Sequence, residues 1–279
     1  MNAKKLLSLW GLKWNPFSPE LPNEALLVTA KIESFAWRVE QLVQEGGFAL
    51  ISGDSGTGKS VALRIVAERL SALRDVVVGV VQRPQSKSGD FYRELGDIFS
   101  VKLSPSNRWS GFKALRERWK AHVASARIKP VLLIDEAQEM NSEVLAELRL
   151  LASADFDAAS LLTVVLCGDG RLPERLRQAD LIPLGTRIRT RLVTEPASRD
   201  ELAELLGHAL AKAGNPTLMT TQLRDALVDH CAGNYRLLMT MGGELLAYGM
   251  AQEVAQLDEK FYLELFHSQR PAAKKKARA

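Results

Sequence analysis

The sequence predicts an α/β fold, a parallel sheet covered by helices on both faces and followed by a small all-helical domain. Three observations carry this. As far as Pro196, short and nearly continuous apolar runs take turns with stretches of helical period, the pattern of strands buried on both faces. Beyond Pro196 helical period continues with no β-branched run. A glycine-rich turn separates the first apolar run from the helix after it, the connection by which a strand delivers the chain to a phosphate-binding helix N-terminus.

The elements follow in order. Leu9 to Pro22 holds three prolines and two tryptophans, so an extended segment held by packing is expected there, part of a collar or linker over 1–30. Ile32, Phe35, Ala36, Val39, Leu42 and Val43 recur at helical spacing and stop at Gly46-Gly47, predicting a helix over Lys31–Glu45. Phe48–Ser52 reads as a buried strand, Ser60–Ala72 as a helix and Val76–Val81 as a second strand. A helix near Asp90–Phe99, a polar loop over Val101–Ser110, a helix over Phe112–Ala126 and the strand Pro130–Ile134 come next. Helix and strand recur as Ser142–Ala152 and Leu161–Cys167, closing an α/β domain over 31–196. Four helices, Ser198–Ala213, Thr221–Ala232, Tyr235–Met250 and Asp258–Phe266, make a lid domain over 197–267, with Ser198 and Thr221 expected as N-caps. Residues 268–279 form a basic tail, expected to be disordered.

Composition sets the outer bounds. The chain has 279 residues, 46% hydrophobic and 25% charged, which is ordinary globular usage. No apolar run reaches the roughly 18 to 20 residues that span a bilayer, and Met1–Lys13 lacks the core of a signal peptide, so a cytoplasmic protein without a membrane partner is expected. Cys167 and Cys231 have no partners at metal or disulfide spacing and read as buried small apolar groups. The net charge of +4 becomes −1 once Arg270, Lys274, Lys275, Lys276 and Arg278 of the tail are set aside. Such a cluster attracts phosphate backbones or simply keeps a terminus solvated.

The chemistry lies in two motifs. Gly53-Asp54-Ser55-Gly56-Thr57-Gly58-Lys59-Ser60, running on into Val61, satisfies G-x-x-x-x-G-K-[ST] between a strand and a helix. Its glycines let successive N–H groups face phosphate oxygens, Lys59 reaches the β- and γ-phosphates, and the Ser60 hydroxyl suits Mg²⁺. ATP with Mg²⁺ is the cofactor pair this predicts. Val131-Leu132-Leu133-Ile134-Asp135-Glu136 is a strand ending in two carboxylates at the edge where α/β sheets place ligands. Asp135 suits the metal side through coordinated water, and Glu136 suits polarising an attacking water.

With the Asp135-Glu136-Ala137-Gln138 run, Leu148-Arg149-Leu150-Leu151, Leu166-Cys167-Gly168-Asp169, Asn15-Pro16-Phe17 and Gly233-Asn234-Tyr235-Arg236, the chain resembles the ExeA-like branch of the AAA+ P-loop NTPases over nearly its whole length. Transposition regulators of the TniB, TnsC and MuB type are related members, which assemble on DNA with ATP and recruit or activate a transposase. The resemblance implies roles residue by residue. Asp169 falls at sensor 1, near the γ-phosphate, where an acid is a departure from the more usual Asn, Thr or Gln. Arg187 falls at the arginine finger supplied to a neighbouring subunit, with Arg189 and Arg191 as alternatives along a possible strand. A planar, permanently charged guanidinium in trans makes hydrolysis depend on assembly. Arg236 falls at sensor 2 in the lid.

Gln82-Arg83-Pro84-Gln85-Ser86-Lys87-Ser88-Gly89 is similar to an Arg-Pro-x-x-Lys-x-Gly run of the TnsC-like proteins, which makes Arg83 and Lys87 the first expected phosphate contacts with DNA. Lys102, Arg108 and Lys113, interleaved with Trp109 and Phe112, are added to them. Several such cations along a helical path bind backbone without reading bases. The expected protein is an ATPase regulating transposition as a ring or filament on duplex DNA, with a transposase and a target-selection protein as partners. The alternative is a soluble ATPase of the secretion and envelope-assembly branch. A nucleotide-gated module that does not hydrolyse fits less well beside Lys59 and Glu136.

Overall fold

The computed structural model describes residues 3–101, 108–122, 128–155 and 158–267; the tail at 268–279 and Lys102 lie outside them. In chain order the helices are α1 (Ala3–Trp10), α2 (Ala30–Glu45), α3 (Lys59–Ser71), α4 (Ser88–Ile98), α5 (Arg108–Ala121), α6 (Ser142–Ala152), α7 (Arg171–Arg175) and α8 (Ile182–Gly185). They continue as α9 (Arg199–Ala213), α10 (Thr221–Cys231), α11 (Tyr235–Ala251) and α12 (Glu259–Tyr262). The strands are β1 (Gly47–Gly53), β2 (Val76–Val81), β3 (Lys129–Ile134), β4 (Ser153–Ala154), β5 (Ala159–Ser160), β6 (Thr163–Gly168) and β7 (Ile188–Thr194). Packing divides the chain into two compact units, Val28–Glu195 and a discontinuous one made of Met1–Leu27 with Pro196–Ala279.

The Val28–Glu195 unit is built on a five-stranded sheet of order β2-β3-β6-β1-β7. Every pairing in it is parallel. Side chains of period two serve both faces. Ala49, Ile51, Val131, Leu133, Val165 and Cys167 meet Phe35, Val39, Leu63, Val66 and Leu70 of α2 and α3 on one face. Phe48, Leu50, Leu132, Ile134, Val164 and Leu166 meet Phe91, Leu95, Leu115, Trp119, Leu145 and Leu148 of α4, α5 and α6 on the other. The expected two-faced sheet is therefore present, with β7 as a fifth strand along its edge. Several details differ from expectation: β6 starts at Thr163 where the strand is expected from Leu161, and the short helices α7 and α8 are additional. α5 starts at Arg108, inside the stretch read as a loop, because Phe112, Leu115 and Trp119 continue at helical spacing into the core. The antiparallel pair β4–β5 was not foreseen, since two-residue strands carry no periodic signal.

The other unit is helical. α1 and the segment after it share one core with α9, α10 and α11: Leu6, Trp10, Leu12 and Phe17 pack with Leu206, Leu210, Leu227, Leu238 and Leu245. Trp10 closes α1 rather than belonging to an extended run, and Gly11, at φ 65°, turns the chain into the irregular stretch that follows. Ser198 caps α9 in a reciprocal box with Glu201, as its sequence predicts. The cap of α10 is Thr220, one residue before the expected Thr221, with its hydroxyl accepting from the Leu223 N–H at 3.2 Å.

Candidate nucleotide site

The strand order places β3, β6 and β1 side by side, and all three run the same way. Register then aligns their ends: Ile134 pairs with Leu166, and Ser52 pairs with Gly168. The residues that follow, Asp135-Glu136, Asp169 and the Gly53–Ser60 loop, emerge together at the carboxyl edge, the crevice in which open α/β sheets bind ligands.

The loop is shaped by steric need. A Cβ on Gly53 would lie 2.2 Å from the Thr194 carbonyl oxygen, so only glycine lets β1 leave the sheet beside β7. Gly56 and Gly58 take φ of 83° and 91°, the left-handed region that side chains resist. The Thr57 hydroxyl donates to the Asp54 carbonyl at 2.7 Å and lies 2.7 Å from the Thr194 hydroxyl, pinning the loop to the end of β7. Lys59 is buried, and its ammonium donates to the Asp54 carbonyl at 2.7 Å, across the mouth of the loop. α3 begins at Lys59 with no side-chain cap, so its first N–H groups remain donors for an anion.

Opposite stands the acidic turn. Asp135 is half-buried, and its Oδ1 accepts the Glu136 N–H at 2.9 Å. Glu136 is exposed and left-handed at φ 51°, a conformation for which a non-glycine residue must be held by its surroundings. Gln138 does part of that holding. Its amide donates to Glu136 Oε2, and its Oε1 accepts the Asp169 N–H at 3.1 Å. Asp169 turns its carboxylate to Arg171, whose Nη2 donates at 2.7 Å to Asp169 and at 2.7 Å to Glu139. That guanidinium holds the Asp169 carboxyl below its ordinary range and offsets the repulsion an acid here would exert on a phosphate. Cys167, wholly buried beneath the turn, has its thiol pushed far up, first by burial and then by the adjacent Asp135 carboxylate; it is an inert thiol.

Ser60 and Asp135 offer the hard oxygen donors that Mg²⁺ accepts alongside phosphate oxygens. Among the described residues no group of three His, Cys, Asp or Glu could hold a metal. A magnesium ion brought with the nucleotide fits this donor set.

Residues 41–176 match the family model of the AAA domain. The chain has the P-loop AAA+ fold. It is 31% identical over 211 residues to General secretion pathway protein A of Aeromonas hydrophila, a match covering 74% of this chain and 37% of that protein. The chain thus spans little more than a third of that relative. Among solved structures it resembles the Aeropyrum pernix ORC2 protein in its ADPNP-ADP complexes, with a TM-score of 0.73 at 14% identity over 93% of this chain and 72% of that one. Drosophila ORC bound to DNA gives a TM-score of 0.69 at 19% identity, over 94% and 65%. At such identities the likeness is one of fold.

The remaining expected site residues fall elsewhere on the chain. Phe48 pairs with Ile188 and Gly53 with Thr194, so Arg187 lies at the amino edge of the sheet. At roughly 3.3 Å per residue along β7 it stands about 20 Å from its own loop. Arg187 is half-buried and donates to the Pro183 carbonyl; Arg189 pairs with Glu45; Arg191 donates to the Gly185 carbonyl at 3.2 Å. Arg236, exposed on the first turn of α11, belongs to the helical unit. Arg83 and Lys87 are exposed in the loop between β2 and α4, where the Ser86 N–H donates to the Arg83 carbonyl at 3.1 Å. Arg108 opens α5, on which exposed Lys113 lies 3.8 Å from Glu117 and Trp109 stacks on Phe112 with centroids 5.7 Å apart. Three residues join the site that the sequence did not nominate. Thr194 carries no motif and is found only through strand pairing, whereas Gln138 and Arg171 stand two residues beyond Glu136 and Asp169.

Proposed function

We propose that this chain binds ATP with Mg²⁺, hydrolyses it within an assembly of its own copies, and uses the cycle to regulate DNA transposition on duplex DNA. The carrying observation is the convergence of the Lys59 loop and the Asp135-Glu136 turn at one sheet edge. Lys59 and the α3 N-terminus bind the phosphates, Ser60 and Asp135 hold Mg²⁺, and Glu136 takes a proton from water. As the water oxygen bonds to the γ-phosphorus, the bridging bond to ADP breaks. Bound Mg²⁺ neutralises charge on the phosphate oxygens. The AAA domain match and the fold support this ATPase reading.

The position of Arg187, about 20 Å along β7 from its own loop, supports its service to a neighbouring copy, and Arg236 is the lid's candidate contact. DNA is supported by the exposed Arg83, Lys87 and Lys113 and by the fold likeness to ORC bound to DNA. Transposase recruitment rests on the resemblance to the TniB, TnsC and MuB type. A second reading, the secretion and envelope-assembly branch, is favoured by the match to General secretion pathway protein A.

One experiment separates them. Lys59→Ala abolishes nucleotide binding, and Glu136→Gln retains ATP but loses turnover. In ATP and low salt the Glu136→Gln protein assembles on duplex DNA, with affinity falling steeply as salt rises. Removing Arg83 or Lys87 lowers the log-log salt slope by about 1 each. A Glu136→Gln protein that binds ATP yet shows no DNA assembly defeats the transposition reading and leaves the secretion one.

A further inference from the structure

Gln138 is 6% exposed, yet its amide reaches from the buried floor of the site to the exposed carboxylate of Glu136. The two ends of that amide are both engaged. Nε2 donates to Glu136 Oε2, and Oε1 accepts the Asp169 N–H at 3.1 Å. Each contact fixes the orientation of the other, because a flipped amide would set oxygen against carboxylate and NH₂ against N–H. The main chain of the same residue is also tied, its carbonyl accepting from Arg175. A Cβ on Gly168 would lie 2.5 Å from Oε1, so a glycine at the end of β6 leaves the space the amide occupies.

We infer that Gln138 is a positioning residue for hydrolysis, a strut that fixes the Glu136 carboxylate to the main chain of the β6–α7 connection and so aims its second oxygen at the attacking water. This rests on the reading of Glu136 as the base. The Glu136 backbone, at φ 51°, is held by Asp135 and by the Glu139 N–H, but those bonds leave its carboxylate unaimed, and a carboxylate acts as a base only when one oxygen is presented at hydrogen-bond distance from the proton it takes. With Oε2 engaged by Gln138, Oε1 is the oxygen left for that task. The far end of the strut is the Asp169 segment, itself anchored through Arg171 to Glu139, so displacement of this segment by the γ-phosphate is transmitted to the base.

Two variants test it by steady-state ATP hydrolysis across pH. Gln138→Leu removes both bonds at similar volume. Its kcat should fall roughly ten- to a hundredfold, less than the 10² to 10⁴ expected for loss of the base itself, with KM for ATP nearly unchanged. Gln138→Glu keeps an acceptor for the Asp169 N–H but sets a carboxylate against Glu136, so the two share a proton. The acid limb of its kcat profile should move up by at least about one pH unit, a shift that a role confined to packing does not produce. Should the Leu variant fail to fold, the Glu variant decides. Wild-type kcat and an unmoved acid limb in Gln138→Glu overturn the inference, provided Glu136→Gln is inactive. If Glu136→Gln hydrolyses ATP normally, it is the assignment of the base that has failed.

Discussion

Glycine 53 shows how much of a nucleotide site is decided by what a residue lacks. A methyl group there would lie 2.2 Å from both the carbonyl oxygen and the hydroxyl of Thr194, which is backbone and pinned side chain rather than a flexible tip. Gly53→Ala must therefore push β1 from β7 at a cost of about 1 to 3 kcal/mol, and it should weaken ATP binding along with lowering the melting temperature. Gly207, in α9, has nothing within 4 Å of the same position. Gly207→Ala should stabilise the protein by up to about 1 kcal/mol through helix propensity and leave ATP affinity alone, which makes it the matched control in a thermal-shift and binding comparison. An acidic residue is governed by its partners in the same way: Arg171, shared with Glu139, offsets the charge of Asp169 and would lessen its repulsion of a nearby phosphate.

At the scale of elements, capping and periodicity are local, and local features were legible. Phe48–Ser52, Val76–Val81 and Pro130–Ile134 lie within the observed β1, β2 and β3, and Ser198 caps α9 through the Glu201 N–H at 3.2 Å. Ser198→Ala should cost the helical unit about 1 kcal/mol in a denaturant melt, and Ser198→Asp should restore most of it. Features set by distant segments were not legible. The strand order that seats β1 between β6 and β7, the hold of Thr194 on Thr57, and the union of α1 with α9–α11 depend on pairings that no stretch of sequence announces. The same division runs through the site. Its phosphate loop and carboxylates are contiguous motifs, whereas the Gln138 amide gains meaning only when β6 lies beside β3.

Along the chain the α/β unit is continuous and interrupts the helical one, so Met1–Leu27 and the segment from Pro196 onward must find each other. Trp10 donates through its indole N–H to the Val254 carbonyl at 2.8 Å, across 244 residues of sequence. Phe17 rests on Gly242, where a Cβ would lie 2.5 Å from the ring, so the helix backbone itself forms the seat. Val28–Glu195 can complete its own core during synthesis, while Met1–Leu27 waits for α9 to α11. Phe17→Ala empties a buried ring site and should cost about 3 to 5 kcal/mol, carried by the helical unit. Hydrogen exchange followed by mass spectrometry should show protection falling through α1, α9, α10 and α11, with β1, β3 and β6 unchanged. Equal loss of protection in the sheet would mean that the two cores rise and fall as one. If the loss stays in the helical unit, ATP binding through the Lys59 loop should survive the substitution, and any loss of turnover that accompanies it would assign a part in hydrolysis to the helical unit, so the pair of measurements separates binding from turnover.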